Sequence, residues 1–144
     1  MKKRIVGLVA VSLLTLTGCG TSYPSEEAIK NGDIVMSPER ANIDRFEIFL
    51  KKVDAQKKDT IRMTNYTTEG DAIIEDITFD GKEFEYSLDS SRDEYGSETD
   101  DRNKEVCQNL KEQVENDQSI FTLTDCEEGT DHEIFKSDPD ELKK

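Results

Sequence analysis

Residues 73–88 read Ile-Ile-Glu-Asp-Ile-Thr-Phe-Asp-Gly-Lys-Glu-Phe-Glu-Tyr-Ser-Leu, two runs of mixed apolar and polar residues on either side of Asp80-Gly81. Alternation with a period of two places every second side chain on one face of an extended strand. Asp-Gly suits the two positive φ angles of a type I′ hairpin. A two-residue turn there predicts Phe79 facing Lys82, Ile77 facing Phe84, Glu75 facing Tyr86 and Ile73 facing Leu88, with the apolar side chains gathered on one face.

A sheet with one apolar face needs a layer to cover it. Upstream, Thr60 to Thr67 reads as a third strand joined through Thr68-Glu69-Gly70, and Asp33 to Met36 as a short extended piece. Helix signals come from Pro24 to Gly32, with acidic residues in the first turn and glycine at the end. A stronger helix follows Asn42 as N-cap, with Ile43, Phe46, Phe49, Leu50 and Val53 at three- and four-residue steps. A further helix is expected from about Asp101 to Asn116, placing Val106, Cys107, Leu110 and Val114 on one side. Ser119 to Cys126 then reads as a last strand, with Ile134 and Phe135 offering an edge strand. The expected class is α+β: an antiparallel sheet of about four strands with two helices packed on it.

The N-terminus has a different character. Lys2, Lys3 and Arg4 precede the uncharged run Ile5 to Thr17, which is shorter than the ~20 residues a spanning helix needs and fits the apolar core of a signal peptide. Leu16-Thr17-Gly18-Cys19 then resembles the bacterial lipobox, in which a cysteine receives lipid and becomes the new N-terminus. Two acyl chains on Cys19 would give lasting membrane residence, whereas one gives only a marginal hold. The expected organisation is a lipoprotein signal peptide over 1–18, a tether over 19–24, a single α+β domain over 25–137 and a polar tail over 138–144.

Removing residues 1–18 takes away three of the 19 Lys and Arg and none of the 33 Asp and Glu, leaving 126 residues of net charge −17. Such acidity argues against nucleic-acid binding, which relies on cations to neutralise phosphate. It also repels an anionic bilayer or wall, so the lipid alone is expected to hold the domain close. Outside the cytoplasm, Cys107 and Cys126 form an even pair expected to oxidise to a structural disulfide; two free thiols or a redox pair are the alternatives.

Chemistry-bearing residues are scattered. The loop Thr67-Thr68-Glu69-Gly70-Asp71 gathers hydroxyls and carboxylates, and Glu75 and Asp76 follow on the next strand, but adjacent strand residues point to opposite faces. His132, the single histidine, has no nucleophile in sequence reach. The acidic stretch 89–101 departs from a calcium loop, because its sixth and twelfth places hold Glu94 and Asp100 and Arg92 adds a positive charge. It reads as a solvent loop. Lys51, Lys52, Lys57, Lys58 and Arg62 form a basic cluster that reads as a solvated face complementing a helix C-terminus. No catalytic residue, metal ligand or cofactor is assigned.

The segments YPSEEAIKNGDIV (23–35), FEIFLKKV (46–53), IRMTNYTTEGDAIIEDITFDGK (61–82), SRDEYG (91–96), the surroundings of Cys107 and LTDC (123–126) resemble small lipoproteins of low-GC Gram-positive bacteria grouped as domain of unknown function 4362. TTEGD (67–71) is the most specific block. The resemblance implies an address and a fold unit, with no mechanism to carry over. The expected role is a non-catalytic surface module, anchored by Cys19 at the extracytoplasmic face of the cell membrane, that binds an envelope protein or wall component. The rivals are a small envelope enzyme using Glu69, Asp71 and Glu75, and an acidic inhibitor of a cationic wall hydrolase.

Overall fold

The computed structural model describes residues 22–93, 95, 104–138 and 141–142. The segment expected to be a signal peptide and lipobox, with Cys19, and positions 94 and 96–103 of the acidic stretch lie outside the described residues. The elements run α1 (Ser25–Asn31), β1 (Ile34–Val35), α2 (Asp44–Asp54), β2 (Asp59–Tyr66), β3 (Ala72–Phe79), β4 (Phe84–Asp89), β5 (Lys104–Glu115), β6 (Gln118–Cys126) and β7 (His132–Ser137). Neither described helix is long and apolar enough to cross a membrane.

All seven strands join one curled sheet in chain order, β1 parallel to β2 and each later pair antiparallel. The expected antiparallel sheet of about four strands with two helices packed on it is therefore incorrect: the sheet is mixed and seven-stranded, and the described helices are short. The largest departure lies at 104–115, where a strand stands in place of the expected second helix. Its apolar residues sit at helical steps, yet only Cys107 among them is fully buried, Val106 and Leu110 are half-buried, and Val114 is 68 % exposed. The deciding signal is Asn116-Asp117, both at positive φ (50° and 66°), between the paired residues Glu115 and Gln118. That is a two-residue hairpin turn, and Asn and Asp tolerate its left-handed backbone.

The β3–β4 register also differs from expectation. Phe79 faces Phe84, Ile77 faces Tyr86 and Glu75 faces Leu88. The turn spans four residues because Asp80 caps it: its carboxylate accepts the Lys82 and Glu83 amides at 2.8 and 3.0 Å, while Gly81 takes φ 106°. A slip of two residues keeps every side chain on its expected face. Ile77, Phe79, Phe84 and Tyr86 accordingly remain in the core.

Helix α1 ends as expected in a left-handed Gly32. Asn42 is not the N-cap of α2: it lies at φ 55° and its amide donates to the Ile29 and Asp33 carbonyls, tying the helix entry to α1. Buried Asp33 accepts hydrogen bonds from Tyr23 (2.7 Å) and Thr64 (2.8 Å).

The sheet curls around α2. Phe46 stacks on Phe135 of β7 at 4.0 Å and meets Phe121 of β6 edge-on at 5.0 Å, while Phe49 reaches Phe84 of β4. Across the open side, Arg40 makes two bonds to the Glu141 carboxylate (2.6 and 2.7 Å) and one to the Lys136 carbonyl (2.8 Å), over the ring of Phe135. We expect Phe46→Ala to lower the unfolding free energy by about 3 to 5 kcal/mol in denaturant titration. Val114→Ala should change it by less than about 0.5 kcal/mol; a large loss at Val114 would contradict the outward-facing strand.

Candidate functional site

On the inner face of the sheet, one corner is polar. Tyr86 on β4 faces Glu105 on β5, and Glu75 on β3 lies two residues from Ile77, the other neighbour of Tyr86. Residues so placed project to the same side. The Tyr86 hydroxyl donates to Glu75 Oε1 at 3.2 Å, and its ring stacks on His132, at the start of β7, with centroids 4.2 Å apart. His132 Nε2 bonds Glu105 Oε1, and the second Glu105 oxygen accepts the Glu128 amide at 3.3 Å. Glu105 is 7 % exposed. A carboxylate so buried requires these donors.

Beside this corner, Cys107 and Cys126 face one another across β5 and β6 and are joined in a disulfide. The bond crosses directly between adjacent strands. Asp125, at φ 57°, breaks the alternation just before Cys126 and lets both Leu123 and Cys126 turn inward. A ligand atom from each of Glu105, Cys107, Cys126 and His132 falls within 4.8 Å of the others.

Electrostatics follow burial. Burial raises the Glu75 carboxyl above its ordinary value, against the opposing pull of the Tyr86 hydroxyl and of His132. Burial likewise raises the Tyr86 phenol, reinforced by the charges of Glu75 and Glu105. Protons are thus held more tightly on both groups than in water.

The carboxylates singled out from the sequence do not gather. Glu69 is exposed in the β2–β3 turn, Asp71 accepts the Thr67 amide on its backbone carbonyl, and Glu75 alone enters the inner corner. Asp76 points outward and takes both bonds of the Arg62 guanidinium, which removes Arg62 from the basic cluster as a free cation. Within the described part of the acidic loop, Asp89 holds Ser91 and Arg92. Burial pushes the Asp89 carboxyl up, but those hydrogen bonds outweigh it and bring the group down to about 2. The Glu105–His132–Tyr86 arrangement was not legible, because reading 101–116 as a helix removed Glu105 from the face of Tyr86. The available signal was the sole histidine, two residues before the apolar pair Ile134-Phe135.

A second feature is an open groove of about 580 Å³ between α2 and the β5–β6 hairpin, lined by Leu50, Val53, Leu110, Phe121 and Leu142 with Glu47 and Lys51 at its edge.

The raised Glu75 carboxyl gives a signed pH effect. Its contribution to stability is fully present below the unfolded carboxyl pKa of about 4.3 and is lost as pH rises through the higher folded value. Glu75→Gln should therefore raise the melting temperature at pH 8 and leave it little changed near pH 4. Equal shifts at both values would contradict a proton-retaining Glu75.

Comparison with curated proteins and with solved structures gives no match. A family model matches residues 30–122, from the end of α1 into β6, and so takes in Glu75, Tyr86, Glu105 and Cys107 but stops before Cys126 and His132. That match covers well over half of the 144 residues, and the chain belongs to the family described as a domain of unknown function, DUF4362.

Proposed function

We propose that this chain is a lipoprotein of the bacterial envelope, anchored through Cys19 at the outer face of the cytoplasmic membrane, and that its folded domain binds an envelope protein or wall component without turning over a substrate. The disulfide between Cys107 and Cys126 carries the first part of this reading, since such bonds persist outside the reducing cytosol. The basic flank, short apolar run and Leu16-Thr17-Gly18-Cys19 supply the route and the anchor. The second part is supported by the separation of Glu69 from Glu75, which leaves the acid–base set of the rival enzyme reading unassembled.

Geometry adds an orientation to the anchor. Tyr23, whose hydroxyl is fixed to buried Asp33, stands four positions after Cys19. An extended chain of that length reaches at most about 14 Å. The end of the domain carrying Tyr23 and α1 would then lie next to the bilayer, and the net charge of −17 after removal of residues 1–18 would keep the rest from lying flat on anionic headgroups.

Metabolic labelling with a tagged fatty acid tests the anchor. The parent protein should take up label and sediment with membranes, whereas Cys19→Ser should do neither; equal labelling of the two would overturn the proposal. Proximity crosslinking on living cells then tests the binding role. The same envelope component should be captured repeatedly by the anchored protein and lost when the domain is released.

A further inference from the structure

The chain contains one histidine and three cysteines. His132 and both cysteines other than Cys19 come from three different strands, yet their ligand atoms and a Glu105 oxygen lie within 4.8 Å of one another. The sheet has brought both thiol-derived sulfurs and the imidazole of the described residues to one point. In the oxidised chain two of these ligands are consumed by the bond between them.

We propose that reduction of Cys107–Cys126 converts this corner into a binding site for a zinc-class divalent cation, ligated by the two sulfurs, His132 Nε2 and one Glu105 oxygen. Two thiolates, an imidazole and a carboxylate form a set suited to a borderline-soft tetrahedral ion, whereas calcium and magnesium prefer oxygen alone. Zinc bonds of about 2.0 to 2.3 Å separate tetrahedral ligand atoms by roughly 3.3 to 3.8 Å, well inside the span these four already occupy. The supports are also in place. The His132 ring is held flat against Tyr86, and the second Glu105 oxygen is fixed by the Glu128 amide. Such outer contacts orient ligands before the ion arrives. Glu105 and Cys107 stand two apart on one strand, and Cys126 faces Cys107 across the ladder, so the metal would tie β5, β6 and β7 where the disulfide ties only the first two.

The redox step balances with a dithiol reductant. Two electrons and two protons pass to the cystine, its S–S bond breaks to give two thiols, and the reductant leaves as its own disulfide. Metal binding then displaces the two thiol protons to solvent; the proton between His132 Nε2 and Glu105 passes through solvent to Nδ1 of the ring, and Nε2 and the Glu105 oxygen each bond the ion. The site is independent of the anchoring proposed above, because it depends only on the folded sheet and the state of the two sulfurs.

The test uses the full chain with Cys19→Ser, so that no third thiol competes. The protein is reduced with a phosphine under argon and titrated with Co²⁺, followed by Zn²⁺. We expect one Co²⁺ per chain, with a near-ultraviolet thiolate charge-transfer band and the visible bands of tetrahedral cobalt, all abolished by Zn²⁺. The oxidised protein should give none of these bands. His132→Gln and Glu105→Gln should each weaken binding about tenfold or more while leaving the far-ultraviolet circular dichroism of the oxidised chain unchanged. Absence of the charge-transfer band on reduction would overturn the proposal, as would an affinity unaffected by both substitutions. Should reduction alone unfold the sheet, its recovery on adding Zn²⁺ supports the site and failure to recover refutes it.

Discussion

The fold depends on an aromatic wedge. A flat sheet of seven strands in simple chain order would leave one face wet or two edges open, and neither is stable in a domain this small. Phe46 resolves this from a single helical position, by lying flat on Phe135 and edge-on to Phe121 while Phe49, one turn later, meets Phe84. One short helix thereby touches strands at the middle and far end of the ladder, and the sheet must bend to keep those contacts. Offset and edge-to-face geometries also suit the charge distribution of the rings, which adds to the gain from burying their area.

Much of this was visible in the residues. The stripe Ile43, Phe46, Phe49, Leu50 and Val53 marked α2 and its buried side, and the runs around Asp80-Gly81 marked two paired strands and the face they bury. The hairpin register was not visible, because Asp-Gly is compatible with both a two-residue turn and the four-residue turn that the Asp80 carboxylate closes. Strand β5 misled for a different reason. At its buried inner positions it carries Glu105 and Cys107, and its outer half is polar with an exposed Val114, so the apolar alternation that identifies a strand was missing.

The polar corner explains that gap. A buried glutamate is tolerated where a histidine and a backbone amide from later in the chain meet it, and no local pattern can announce partners more than twenty residues away. Local rules fail most where a structure has specialised a position. The cost of keeping Glu75 and Glu105 inside is offset by Tyr86, which serves one carboxylate with its hydroxyl and braces the partner of the other with its ring.

The clasp of Arg40 on Glu141 and Lys136 joins positions about a hundred residues apart. It makes the last strand answerable to a loop formed before the second helix. Trimming a few residues from the carboxyl end would remove the grip on that guanidinium and uncover the outer rim of Phe135, so an event at one terminus would be felt as loosening of the seam that shuts the curl. In a domain built by adding strands one after another, this is the contact through which the final addition locks the first.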